Sequence, residues 1–342
     1  MVSRILAVLF LSIGFAFPAF SQTTITDSGG REVKLPGEIK KIFPAGPPAS
    51  VLLYTLAPDK MLGWTRELTP EQKRFIAAPY ASLPTLGRLT GKGDTVNTES
   101  VLSLAPDLIF DSGTVSPTYI SLADRVQSQL SIPYLLLDGS FAKLPETYRL
   151  LGRAIGKEKE ADDLASSIEA SVTEIRTKAS GIPAEQRPRV YIGRGPNGLQ
   201  GGSGSQELLS VLQIANASPN AGKGGATAVS LEDLLTWNPD IILLADAKLF
   251  TSVASTPVWK DLAAVQKNRV YLIPNLPFDW VDAPPGVNRL MGLRWLANLA
   301  YPDHFKDDIR VQAKDFYKKF YHVDLSDSDL DVILKDAVAP AK

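Results

Sequence analysis

The sequence predicts an α/β protein built as two three-layer α/β lobes with mostly parallel sheets, joined by one long bridging helix. Three observations predict it. A segment repeats at an offset of 133 residues (Glu99 to Glu232), strand-like runs alternate with helical ones around both copies, and one long polar helix pattern lies between them. Alternating strands and helices imply parallel sheets with crossover helices.

The repeat comes first. Glu99-Ser-Val-Leu-Ser-Leu-Ala-Pro-Asp-Leu-Ile-Phe-Asp111 aligns with Glu232-Asp-Leu-Leu-Thr-Trp-Asn-Pro-Asp-Ile-Ile-Leu-Leu244. Val96, Pro106, Asp107 and Ile109 match Val229, Pro239, Asp240 and Ile242. Each copy reads as a short helix, a Pro-Asp break and a strand, because proline forces the residue before it out of the helical region. The runs Leu108-Ile-Phe110 and Ile241-Ile-Leu-Leu244 suit strands covered on both faces. Strand-like segments precede the copies at Lys41–Gly46 and Arg189–Arg194 and follow them at Pro133–Asp138 and Arg269–Pro274.

The chain opens with residues 1–21 patterned as a secretory signal. Arg4 supplies the positive start, Ile5 to Phe20 is apolar except at Ser12, Gly14 and Pro18, and Ala19-Phe20-Ser21 is a small-x-small cleavage site. The expected mature chain begins near Gln22 and is soluble and periplasmic. The first lobe is expected over 22–156, opening with a hairpin at Ile25–Val33. From about Lys157 to Ala179 no Pro or Gly occurs, and Leu164, Ile168, Val172 and Ile175 form one apolar stripe on a charged helix. At 1.5 Å per residue this spans ~35 Å, enough to bridge two lobes. The linking helix is assigned to 157–180 and the second lobe, with its terminal helices, to 181–342. Within that lobe a helix over Gly286–Leu299 follows Pro284-Pro285, two more are expected between Asp308 and Ala337, and Ser326 is placed to cap the last. The final Ala-Pro-Ala-Lys is expected to fray.

Composition narrows the chemistry. A formal net charge of −1 gives no field for nucleic acid. With no cysteine there are no disulfides, thiolate sites or lipidated Cys. The two histidines, His304 and His322, fall in the C-terminal helical region, so a His-rich metal site is hard to build and no metal site is assigned. Enzyme motifs fail as well. Gly193-Arg-Gly-Pro-Asn-Gly198 has the spacing of a dinucleotide fingerprint, but its proline blocks the helix start that motif needs. Gly201-Gly-Ser-Gly-Ser205 lacks the last glycine of a nucleophile elbow. The expectation is a non-enzyme without a resident cofactor, acting as a monomer, with a periplasmic hydrolase as the less favoured alternative.

Taken together, a secretory signal, the hairpin opening, two helix-Pro-Asp-strand units and a single bridging helix resemble the iron-siderophore/cobalamin-type periplasmic binding proteins of ABC importers. The resemblance covers nearly the whole mature chain. It implies ligand held in a cleft between the lobes and delivered to a permease dimer. It also implies that Glu99 and Glu232, one per lobe, contact arginines of that permease. Members carry ferric siderophores, haem, cobalamin or oxyanions such as molybdate, and the fold does not choose among them. The expected ligand is a ferric siderophore-type chelate, with molybdate or tungstate, haem and cobalamin as alternatives.

Ligands of open α/β sheets bind beyond the carboxyl ends of the strands. The loops expected there carry Arg66, Arg88, Lys92, Arg194 and Arg289, together with Trp64, Trp280, Asp282 and the nearby Tyr54. Arginine forks suit chelate or oxyanion oxygens, and tryptophans suit apolar walls. Among these, Tyr54, Trp64, Arg66, Arg88, Arg194, Trp280, Asp282 and Arg289 are assigned to the ligand. Tyr54 is also the one haem-ligand candidate, and Tyr54, Tyr119 and Asp111 are the less favoured direct ligands for a ferric ion.

Overall fold

The computed structural model describes residues 23–90, 96–201, 206–218 and 227–338. The proposed signal segment and Gln22, Lys92, the 202–205 part of the Gly-Ser run and the last four residues lie outside the described residues.

The expected hairpin is present. β1 (Thr23–Thr26) pairs antiparallel with β2 (Glu32–Leu35). Arg31 staples it to the lobe, with Nη1 donating to Asp27 Oδ2 and to the Tyr134 carbonyl, both at 2.9 Å. β3 (Ile42–Pro44) then leads into α1 (Pro47–Leu56), whose first turn starts on two prolines. Two single-turn helices, α2 (Pro70–Lys73) and α3 (Ala78–Ala81), follow. Next come α4 (Thr98–Leu104), β4 (Leu108–Gly113), α5 (Pro117–Leu130), β5 (Tyr134–Asp138) and α6 (Leu144–Ile155). Strands β3, β4 and β5 form a parallel sheet in that order. All three are almost wholly buried, as their unbroken apolar runs require.

The expected long helix is α7 (Glu158–Ser180), 23 residues. Its buried side chains Ala161, Leu164, Ala165, Ile168 and Ile175 form one stripe. Small residues let it approach α6 closely: a Cβ on Gly152 would lie 2.3 Å from that of Ala161. Arg149 of α6 clamps the outer face, bonding to Asp162 and Glu169 at 2.7 and 2.6 Å. On its other side α7 meets the second lobe, where Ser171 Oγ accepts from Arg294 at 2.8 Å.

That lobe runs through β6 (Arg189–Arg194), β7 (Gln200–Gly201), α8 (Gln206–Val211), β8 (Ala215–Asn216), β9 (Thr227–Ala228), α9 (Leu231–Trp237) and β10 (Ile241–Leu244). It continues with α10 (Ala247–Ser252), α11 (Ala263–Gln266), β11 (Val270–Leu272) and α12 (Asn288–Ala300). Its sheet is ordered β11-β10-β6-β7-β9, and the pairs around β10 are parallel. The Gly193–Gly198 motif is a hairpin connection: β6 pairs antiparallel with β7, and Gly195 and Gly198 take φ of +75° and +70°. No helix starts there. The terminal helices are α13 (Ile309–Phe316) and α14 (Asp327–Ile333), the latter capped by Ser326 in a box with Asp329. Between them Tyr317–Tyr321 forms a π-turn packed on the first lobe, where Tyr54 donates to the Tyr321 carbonyl.

The repeat holds down to single hydrogen bonds. Asp107 donates its amide to the Lys41 carbonyl and accepts from the Lys41 amide; Asp240 does both with Arg189. Ala105 and Asn238, at matching positions, both end their helices in the left-handed conformation, with φ of 48° and 39°. In each copy an aspartate thus ties the helix end to the strand beside it.

Candidate functional site

The carboxyl ends of β4 and β5 open onto a cavity of about 440 Å³ between the lobes. The first lobe contributes Pro48 at the start of α1, Gly113–Val115 after β4 and Asp138–Ser140 after β5. From the second come Glu207, Pro285 and Arg289. Two hollows of about 420 and 530 Å³ flank α7; the first lies among helix faces, and the second shares Glu207 with the cavity but is otherwise lined mainly by helix residues of α6, α7 and α8. Strand-end geometry therefore points to the first cavity as the ligand site.

Arg289, in the first turn of α12, is its organising residue. It is almost fully buried, and its two terminal nitrogens reach Glu207 Oε2 and Asp282 Oδ1, both at 2.7 Å. Its Nε has no partner among the described residues. Glu207 in turn accepts the Phe141 amide at 3.1 and 3.2 Å. One carboxylate thereby spans the lobes, with Arg289 on one side and the first lobe's backbone on the other. Charge-assisted bonds of this length are the strong class.

Arg194, at the end of β6, takes the neighbouring position. Its Nη1 donates to Asp279 Oδ2 at 2.6 Å. Burial opposes the charge of the guanidinium, yet Asp279, with Asp282 beyond it, holds its pKa above the ordinary arginine value. Asp279 also accepts the amides of Val281 and Asp282 at 2.8 Å, so it shapes the loop that presents Asp282. Asn288 closes that loop, donating to the carbonyls of Asp279 and Pro284.

A second basic group flanks the start of α1. Thr65 is fixed to Ser50 of that helix, Oγ to Oγ, at 3.1 Å, which places Arg66 beside it. Arg88 precedes Leu89 and Thr90, whose amides both donate to the Ala45 carbonyl. Arg66 keeps part of its side chain in solvent, but the protein packed around its guanidinium, together with the positive charge of Arg88, lowers its pKa. Beneath them Asp111 accepts from Thr90 Oγ1 at 3.1 Å and from the Tyr134 hydroxyl at 3.3 Å. Burial pushes the Asp111 carboxyl up, against the opposing pull of those bonds.

The aromatic residues expected as ligand walls lie elsewhere. Tyr54 and Trp280 are wholly buried and Trp64 nearly so. Tyr54 hydroxyl bridges the Ala77 amide and the Tyr321 carbonyl, and burial raises its pKa well above the ordinary value. With its hydroxyl buried and bonded to backbone on both sides, Tyr54 does not line the cavity. Trp280 donates to Tyr317 hydroxyl at 3.3 Å and meets Trp295 edge-on. Trp64 donates to the Tyr80 carbonyl at 2.8 Å and packs between Tyr54 and Phe278. These three form the core beneath the cleft, because each indole or phenol found its polar partner on the protein's own backbone or on a neighbouring ring. His322 ends the π-turn with its edge to Tyr54, and His304 is exposed in a turn; neither lines the cavity.

Sequence reasoning missed Glu207, Asp279, Thr114 and Ser140. Glu207 stands two residues beyond the Gly-Ser run, and nothing in its spacing marks it. Asp279 was within reach, since it lies in the same Phe278–Asp282 loop as Asp282.

Residues 74–276 match a family model described as periplasmic binding protein. The chain is 26% identical to the molybdate-binding protein MolA of Haemophilus influenzae, over 93% of this chain and 96% of that one. It is 27% identical to an uncharacterised ABC transporter substrate-binding lipoprotein, YvrC, of Bacillus subtilis, over 83% and 87%. A solved ABC transporter solute-binding protein from Sulfurospirillum deleyianum superposes with a TM-score of 0.81 at 29% identity, covering 91% of this chain and 99% of that one.

Proposed function

The chain belongs to the periplasmic binding protein family, and on that premise we propose that it is the solute receptor of an ABC importer and carries a small oxyanion of the molybdate class. The lining of the interlobe cavity carries this reading. Its walls are glycines, prolines, Val115 and the hydroxyls of Thr114 and Ser140 around one arginine, together with two carboxylates, Glu207 and Asp138, the latter accepting the Ser140 amide at 2.8 Å. Such a wall offers hydrogen bonds at short range and no flat apolar surface for a macrocycle. The relative named for molybdate binding supports the same class. Glu207 does not repel the anion as a bare charge would, because Arg289 and the Phe141 amide already occupy it. In this reading Arg289 and the two hydroxyls contact the oxyanion, Asp282 and Glu207 position Arg289, and Arg194 holds the Asp279 loop. Export of the chain by its signal segment and delivery of the ligand to a permease dimer through Glu99 and Glu232 belong to the same proposal. Both glutamates are exposed in the first turns of α4 and α9.

A second reading has one observation behind it. The pKa of Arg66 is lowered mainly by burial and further by the nearby positive charge of Arg88. Two neighbouring guanidiniums suit the larger anionic face of a ferric chelate. Calorimetric titration separates the two. Molybdate and tungstate are expected to bind with heat release at one site per chain, and ferric hydroxamate chelates are not. Binding of the chelate alone refutes the oxyanion.

A further inference from the structure

We infer that Leu102 and Leu235 are a matched pair of apolar anchors for the importer's permease dimer, one on each lobe. The inference rests on the receptor reading above and adds to it the chemistry of the docking face.

Among the described residues, few large hydrophobic side chains are strongly exposed: Leu102 at 48%, Leu235 at 40% and the valines 311, 332 and 338. An isolated exposed leucine needs no explanation. These two are not isolated cases, because the same 133-residue offset that relates Glu99 to Glu232 relates Leu102 to Leu235. The equivalence is structural as well. Each leucine lies on a seven-residue helix that leads through a left-handed cap to an inner strand of its sheet, β4 or β10. The residue before each, Val101 or Leu234, is fully buried and pins its helix to the core. The helix geometry then turns the next residue outward. Three residues is nearly one helical turn, so Glu99 shares a face with Leu102 and Glu232 with Leu235. The neighbouring hydroxyls are spent on their own helices: Ser103 donates to the Ser100 carbonyl at 2.8 Å and Thr236 to the Glu232 carbonyl at 2.9 Å.

Each lobe therefore presents one carboxylate beside one bare leucine, in the same helical frame. A partner complementary to both copies carries two like sockets, each a cationic group next to an apolar hollow. A dimer of permease subunits has that duplication, whereas a single asymmetric partner has no use for it. The division of labour follows from range. Carboxylates steer the encounter through the field, and the leucines act only on contact, by expelling water.

The test uses the full mature protein and the permease–ATPase complex of the same organism in lipid nanodiscs. Three variants are compared with the parent: Leu102→Ser, Leu235→Ser and both together. The double variant is expected to bind the nanodisc complex at least ~10-fold more weakly, and the single variants to fall between it and the parent. Melting temperature and calorimetric affinity for molybdate should stay at parental values, which excludes damage to the fold or cleft. The loss should persist in 0.5 M NaCl, where the contribution of the glutamates is screened. Unchanged binding by the double variant overturns the inference, as does a loss carried wholly by one leucine. So does a parent that is dimeric in solution and becomes monomeric on substitution, since the leucines then serve self-association. Failure of the parent itself to bind the nanodiscs sinks the receptor reading instead.

Discussion

Removing Arg289 should damage both the stability of the second lobe and ligand binding. The guanidinium holds two carboxylates with bonds of 2.7 Å. A buried charge-assisted bond of this type contributes ~1.5–3 kcal/mol. Here the acceptors are only partly buried, with side-chain exposures of 35% for Glu207 and 24% for Asp282, so water recovers part of that on deletion. A net loss of about 2–3 kcal/mol for Arg289→Ala follows. For a protein of this size that lowers the melting temperature by about 3–5 °C. Arg289→Lys should recover roughly half, because one ammonium cannot bridge both carboxylates. Arg289 is also the one cation among the residues lining the cavity. Molybdate affinity should therefore fall ~10- to 100-fold in the Ala variant. Urea melts and calorimetric titration read the two effects separately. A variant within ~0.5 kcal/mol of the parent that still binds molybdate equally well refutes the reasoning.

Three further outcomes are expected. Asp111→Asn keeps one acceptor oxygen for Thr90 or Tyr134, requires the other hydroxyl to turn and accept from its amide nitrogen, and cannot ionise. Because burial raises the carboxyl above its ordinary 3.8, the parent should lose stability relative to the variant as pH rises through the raised value; urea melts showing a pH-independent or narrowing gap contradict this. Gly292→Ala would bring a Cβ to 1.9 Å from the Trp280 carbonyl oxygen, so thermal melts should show a loss of at least ~3 kcal/mol, and parental stability would mean that α12 shifts freely. Charge reversal at Glu99 and Glu232 together should abolish uptake in cells while leaving molybdate affinity at its parental value; surviving uptake reduces both residues to helix-end acids.

Much of the fold was legible because it rests on local patterns. The helix-Pro-Asp-strand repeat, the Gly-free stretch of α7 and the Ser326 cap each depend on residues within a few positions of one another. Proline exclusion and apolar periodicity act at that range. The buried strands β4 and β10 were visible as unbroken apolar runs for the same reason. The structure extended the repeat beyond its letters: the Asp107 and Asp240 bonds and the two left-handed caps show equivalent backbone at positions where Ala105 faces Asn238.

The site was only half legible, and the division has a physical cause. Sequence placed Arg194, Asp282 and Arg289 on strand-end loops, because position along the chain fixes which end of a strand a loop follows. It could not decide whether a side chain on such a loop faces the cleft or the core. Tyr54, Trp64 and Trp280 turned inward because the terminal π-turn folds back across the first lobe and supplies Tyr317 and Tyr321, more than 200 residues from Tyr54 and Trp64. Nor could it see that Arg289 would meet Glu207, 82 residues earlier, and through it the Phe141 amide of the other lobe. The two related lobes and the helix between them were readable from the chain alone, since short-range sterics and periodicity encode those. Long-range packing set which arginines are paired with carboxylates, which aromatics are core and which residues line the space between the lobes, because those outcomes depend on which distant side chains arrive at the same place.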